Sequence, residues 1–310
     1  MAIVKGSFPD LLDKTIQGVF YDPEFRKNYP ELHKDVFNIE KSDSNYEKRS
    51  QMSGLQNMPI KTEGDSMFYD TPAQGYDRTL TPLTYAMGVR MSREMYEDIQ
   101  SGDKGRLKSF IQMTKALRQS AWATEETNAA NILNRAFSGS YLYADGKKLC
   151  ATDHPVPKTG GSYSNTLGTP ADLSYSSLTS LIQTFEDMVN LAGQPVVCLP
   201  ATLYVPTDLH VQAVEIVKSK LKADTANNNI NAISDIWQIE VKVNPFLTDA
   251  DAWFLLAKKA QHQLVKIERV PLQFENEGDF DTWDMKWGAR MRHIFDAWDS
   301  RGVAGSEGAA

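Results

Sequence analysis

A helical period sustained from Lys104 to Phe137 constrains this chain more than any other feature. Leu107, Phe110, Ile111, Leu117, Ala121, Trp122, Ala129, Ile132, Leu133 and Ala136 recur at steps of three and four, which lines them along one face of an α-helix. At about 1.5 Å rise per residue such a helix runs roughly 50 Å, longer than a compact small domain is wide. It is a spine, and something must pack along it. Thr114, Arg118, Glu125 and Asn128 interrupt the apolar stripe, which predicts uneven cover, with other segments or subunits crossing at the polar positions.

The hundred or so residues before the spine are too polar and irregular to form a core of their own. Residues 1–45 scatter Phe8, Leu11, Leu12, Ile16, Val19, Phe20 and Phe37 among Pro9, Pro23 and Pro30, and read as an arm with one short helix from Pro9 to Phe20. Residues 46–91 read as two strands, Tyr46 to Leu55 and Tyr76 to Met91, around an excursion punctuated by Gly54, Pro59, Gly64, Pro72 and Gly75. This is a protruding hairpin with a polar turn, Glu63-Gly64-Asp65, at its tip. A two-stranded hairpin is marginal in water, so its burial must come from the rest of the structure or from another chain. Ser92 then opens a short helix through Ile99, with Glu94 in its first turn.

Beyond Phe137, some thirty residues rich in Gly, Ser, Tyr and Pro run to Pro170 as a loop. From Asp172 helix and strand alternate. Leu178, Leu181, Ile182, Phe185, Met188, Val189 and Ala192 make an amphipathic helix capped by Asp172 or Ser174; Val196–Leu199 and Leu203–Val205 are strand pieces; Thr207 caps a helix ending near Lys218–Lys222. Asp224–Asn231, with Asn227, Asn228 and Asn229, is a polar tip. Ile236–Val243, Trp253–Ala257 and Leu264–Ile267 are short strands, and the order of elements indicates an α+β fold. From Phe280 to Phe295, Trp283, Met285, Trp287, Ala289 and Met291 alternate with Asp284, Lys286, Arg290 and Arg292, a long strand with one buried and one charged face. Trp283, Trp287 and Trp298 read as core. Arg290 and Arg292 form either a solvated face or a pair of forks for a neighbour's carboxylates. The Gly, Ala and Ser tail beyond Arg301 reads as disordered.

A formal charge of -7 argues against a surface built to grip phosphate backbones, though a local basic patch is compatible with it. No apolar run approaches the roughly 18–20 residues that cross a bilayer, and Met1–Lys14 has no apolar core behind a basic start, so synthesis in a cytoplasm is expected. Cys150 and Cys198 read as reduced thiols. Cys150 and His154, four apart, are also the material of nucleophilic catalysis in a hydrolase. Asp145, Asp153 and His154 could hold a divalent metal, but Asp145-Gly146 is first of all a turn. No Gly-rich phosphate loop, paired-Cys motif or His-Glu-x-x-His site occurs, and no cofactor is implied.

Arm, hairpin, spine, mixed α/β unit and closing strand together resemble the major capsid protein of tailed bacteriophages, the Hong Kong 97 fold, and in detail the Mu-like major head subunits. The resemblance rests on Met91-Ser-Arg-Glu-Met-Tyr-Glu-Asp98, Ala144-Asp-Gly-Lys-Lys-Leu-Cys-Ala-Thr-Asp-His-Pro155 with Asn165, Leu203-Tyr-Val-Pro206, Asn244-Pro-Phe-Leu247, Trp253-Phe-Leu-Leu256 and the closing strand, across nearly the whole chain. It implies an N-terminal arm (1–45), an extended loop lying across a neighbouring subunit (46–91), a peripheral domain (92–171) with the spine at 104–137, an axial domain (172–265), return strands to the peripheral domain (266–303) and a disordered tail (304–310). It implies no active site, homo-hexamers and pentamers forming an icosahedral shell, contact with scaffolding, portal and decoration proteins, and weak non-specific contact with packaged double-stranded DNA. Glu63, Gly64, Asp65, Asn227, Asn228, Asn229, Arg290 and Arg292 are its candidate assembly contacts. Some relatives carry a long scaffolding segment before the arm; here the arm begins almost at Met1, which implies either a processed product or a separate scaffold. Lysine–asparagine crosslinking, known in part of that family, would need a loop lysine such as Lys48 or Lys61 near an asparagine and a carboxylate on another subunit, and no crosslink residues are assigned. A tail tube or decoration protein is the alternative structural reading.

Overall fold

The computed structural model describes residues 16–101, 103–221, 230–278 and 283–309. The arm enters as a helical turn at 16–20, continues through α1 (Phe25–Asn28) and α2 (His33–Val36), and ends in β1 (Asn38–Lys41). The first part of the expected Pro9–Phe20 helix lies outside the described residues, as do Asn227, Asn228 and Asn229 and the expected start of the closing strand at Phe280.

The two strands expected around the hairpin become three. β2 (Glu47–Met52) pairs antiparallel with β3 (Gln74–Leu80), but the chain breaks at Thr81-Pro82 and β4 (Leu83–Met91) joins another sheet. Proline lacks the N–H that a continuous ladder needs and holds the residue before it extended, so one strand cannot run through this point. Helix α3 (Arg93–Gln100) follows, with the Ser92 hydroxyl accepting from Met95 N as its cap.

The spine, α4 (Lys104–Asn134), starts where the period placed it, with Asp103 accepting from Gly105 N and Arg106 N. Its 31 residues give a length of about 46 Å. The helix lies on a four-stranded sheet ordered β1-β10-β11-β4, where β10 is Leu264–Gly278 and β11 is Met285–Ala297. Phe110, Leu117, Met91, Phe274, Trp287 and Ala289 form the core under its first half, joined by Ile16 and Phe20 of the arm. Only the start of β10 shows in the sequence, because register shifts between Glu268 and Val270 and between Val270 and Gln273 break its alternation where Pro271 falls.

Three of the four interruptions of the apolar stripe, Arg118, Glu125 and Asn128, are crossing points. Arg118 donates to the carbonyl oxygens of Phe20 and Asp22, clamping the arm. Glu125 takes the Lys266 ammonium from β10, and Asn128 meets His293 of β11 at 3.4 Å. The neighbouring Glu126, fully buried, receives the ring Nδ1 of His33 at 2.6 Å and its backbone N–H at 3.0 Å. Thr114 is buried with its hydroxyl turned back onto the Phe110 carbonyl.

The second sheet is ordered β12-β9-β7-β8, with β7 (Pro200–Val205), β8 (Glu240–Val243), β9 (Trp253–Ala257) and β12 (Val303–Ser306). Helices α5 (Tyr175–Glu186), α6 (His210–Lys218) and α7 (Ala232–Ile236) accompany it. Ser174 rather than Asp172 caps α5, in a capping box with Ser177. Val196–Leu199 is not a strand, and the first residue of the expected Ile236–Val243 strand ends a helix capped by Asn231. Within the loop before Pro170 lies a small hairpin, β5 (His154–Val156) with β6 (Gly161–Tyr163).

The tail is the largest correction. Residues 303–306 pair with β9, and Val303 and Ala304 are fully buried. Small residues stand there because the strand runs hard against its neighbour: a Cβ on Gly305 would meet the Phe254 ring at 2.6 Å. Trp283 also departs from the sequence reading. It stands at φ 57° with 56% of its surface exposed, under the Arg93 guanidinium at 4.5 Å, whereas Trp287 and Trp298 are core.

Candidate assembly surface

The hairpin is held against its own chain up to a sharp limit. Lys48 bonds Asp77 across the strands at 2.8 Å, and that hydrogen bond draws the Asp77 carboxyl down to about 2. Gln51 Nε2 donates to the Trp298 carbonyl, and Gly75 runs so close to Leu191 that a Cβ would sit 2.9 Å from its methyl. Further out, Lys158 pairs with Asp70 at 2.5 Å, Asp70 also accepts from Gln56 N, and Gln194 donates to Asn57.

Past Asn57 and before Asp70 the cover stops. Met58 is 97% and Ile60 99% exposed, and Met67, Phe68 and Tyr69 stand out beside them. A soluble chain does not present a cluster of large apolar side chains to water without a surface to bury it on. Glu63, Gly64 and Asp65 form the exposed turn at the tip, with Gly64 at φ +89° and Asp65 N bonded to the Thr62 carbonyl. The apolar flanks of this turn were missed in the sequence; the signal was there, five large hydrophobics inside a Pro- and Gly-marked excursion.

Arg290 and Arg292 do not act as a pair. Arg290 is exposed, whereas Arg292 is a brace, donating to the Pro82 carbonyl at 3.1 Å and to Asn45 Oδ1 at 3.0 Å. It fixes the break between β3 and β4, and hence the direction in which the hairpin leaves the body.

The Cys150/His154 stretch is an internal joint. Burial pushes the Cys150 thiol up to about 12, so no thiolate forms near neutrality. His154 lies buried with Nδ1 on Asp145 Oδ2 at 2.6 Å and Nε2 on Asn165 Oδ1 at 3.0 Å, so both ring nitrogens are engaged inside the chain. Asn165 also accepts from Ala151 N and donates to the carbonyls of Leu149 and Val303. Asp153 is taken up by Lys147, and Gly146 turns at φ +74° with Asp145 accepting from Lys147 N, which is the turn chemistry. Arg301, which the sequence did not single out, completes the joint by bonding the Val189 carbonyl and Asp299. Its geometry ties residues 144–165 to the strand at 303–306.

The sequence matches the family described as phage capsid protein over residues 75–306. The chain belongs to the phage capsid protein family. No curated protein matches it. Among solved structures, the capsid of a native GTA particle superposes with a TM-score of 0.57 at 11% identity, covering 90% of each chain. A virus-like particle from Pyrococcus furiosus gives 0.54 at 8% identity over 97% of this chain and 99% of the other, and the bacteriophage JBD30 capsid gives 0.54 at 17% over 77% and 99%. At these identities the likeness is one of fold, and the fold is the capsid fold that the order of elements implied. This phage capsid protein is a shell-building subunit of the virion. Among the described residues no helix is long and apolar enough to cross a membrane.

Proposed function

We propose that this phage capsid protein is a major head subunit of the Mu-like kind, assembling in the host cytoplasm into hexamers and pentamers that close an icosahedral shell around double-stranded DNA. The observation that carries the reading is the loop at 58–69, whose apolar side chains its own chain leaves in water. In this reading the hairpin lies across a neighbouring subunit, the sheet under the spine belongs to a peripheral domain, and residues 172–265 form an axial domain whose tips meet at the capsomer axes. Glu63, Gly64, Asp65 and Arg290 are contact residues between subunits, as are Asn227, Asn228 and Asn229 at the axial tip. Scaffolding, portal and decoration proteins are further partners, and the acidic balance keeps contact with packaged DNA weak. The protein has no catalytic task.

Electron microscopy of the purified protein tests this directly, with closed icosahedral particles as the expected result. A compact monomer persisting across a wide concentration range in sedimentation would overturn it.

A further inference from the structure

Two arginines of the first sheet converge on one neutral oxygen. Arg269 Nη1 and Arg292 Nη2 both donate to Asn45 Oδ1, at 3.1 and 3.0 Å, so the two guanidinium groups stand side by side. Asn45 belongs to the turn between β1 and β2, which is itself anchored: Ser42 N donates to the Glu268 carbonyl and Ser44 N to the Ser42 hydroxyl, each at 3.1 Å. Arg292 is fixed further by its Nε on the Pro82 carbonyl. Neither guanidinium forms an ion pair with a described residue. The carboxylates nearby in the chain are engaged elsewhere, Glu268 by Lys266, Glu47 by the Ser42 hydroxyl and Glu40 by Arg49, and Asp43 of the same turn pairs with neither arginine.

Holding the turn does not call for this arrangement. Like charges brought together repel, one arginine is enough to bond an amide oxygen, and an aspartate in place of Asn45 would take both forks while cancelling charge. Asn45 accepts but neutralises nothing. The result is a pair of fixed cations, half-buried beside the exposed Asn45, most of whose N–H donors stay free among the described residues. We propose that Arg269, Arg292 and the Asn45 turn form a binding site for an oxyanion, a phosphate or a carboxylate, held by the free edges of the two guanidinium forks. Planar forks in a preset geometry suit such a group, since each can donate two parallel bonds to a pair of oxygens. The ion sits at the root of the hairpin, where β10, β11, the Asn45 turn and the break at Pro82 come together, and it joins segments that the chain otherwise holds by single hydrogen bonds. Two sources carry this chemistry: inorganic phosphate from solution, and an acidic side chain of a second copy.

The test uses the full chain, dissociated into subunits, with inorganic phosphate as the probe against chloride at equal ionic strength. Phosphate should raise the melting temperature by about 2 °C or more, saturating as the site fills. Arg269→Gln leaves the Arg292 bond to Asn45 in place, and Asn45→Asp supplies the missing charge from within. Both variants should melt cooperatively and both should lose the phosphate response, while Asn45→Asp without phosphate should melt at or above the unaltered protein. A role confined to pinning the turn predicts otherwise: no phosphate-specific rise in the unaltered protein, or the same rise in all three, and either result overturns the site. Assembly separates the two sources. With soluble phosphate as the ligand, phosphate speeds particle formation and is released when purified shells are denatured; with a second copy's carboxylate as the ligand, phosphate slows assembly and Asn45→Asp abolishes it. The melting measurement needs no particles, so its failure is distinct from a failure of the unaltered protein to form shells, which overturns the shell reading instead.

Discussion

Two buried histidines have nothing to gain from a proton. Burial first, and then the charge of Lys259, brings His262 down to about 4. His293 is also brought to about 4, by burial first, which outweighs the opposing pull of Glu125, while Lys266 and His33 add to the lowering and Glu268 opposes it; the Tyr85 ring is stacked 4.9 Å away. Both folded-state values lie below the ordinary 6.5, so the unfolded chain binds more protons between pH 6.5 and 4. Their stabilisation is therefore complete above pH 6.5 and is lost as the pH falls toward 4, by up to about 3 kcal/mol for each ring. Melting temperature measured from pH 7 to pH 4 should fall across that window, and His293→Gln should show a shallower fall than the unaltered protein. Residues of this kind were the least legible in the sequence. Nothing in the neighbours of His293 or Asn165 states that three distant segments converge on them, and a buried amide takes its meaning from those segments.

At the scale of elements, legibility followed local physics. The spine's start came from its own period, which overran the helix end at Asn134 by three residues, and even its flaws were informative, because a polar residue on an otherwise apolar stripe has to meet a polar partner. The arm's β1 went unseen, since a four-residue strand whose partner lies beyond residue 260 has no local signature. Arg118 is the element-level joint to test. Hydrogen bonds to a charged group contribute about 1.5–3 kcal/mol, so Arg118→Ala should free the start of the arm while leaving His33 seated on Glu126. Trypsin should then cut at Arg26 and Lys27 about tenfold faster or more, with the circular dichroism spectrum unchanged. An unaltered cleavage rate would mean that the clamp does not hold the arm.

In the molecule as a whole, the expected tail became the edge strand of the second sheet. Low-complexity small residues read as disorder when judged by composition, yet here they are what close approach to Phe254 requires. Ending the chain after Arg301 removes three fully buried residues, Val303, Ala304 and Ser306, together with the β12 ladder and the Asn165 partner at Val303. That truncation should give insoluble or unfolded protein by circular dichroism, whereas a free tail could be cut without effect. The strand has a mechanical consequence as well. The chain passes from the first sheet to the second before β7, returns after β9 and passes over again after β11. A force that tries to part the two sheets is thus borne by three covalent tethers as well as by side-chain contact. Under outward load the two halves share the strain, and neither can peel away alone.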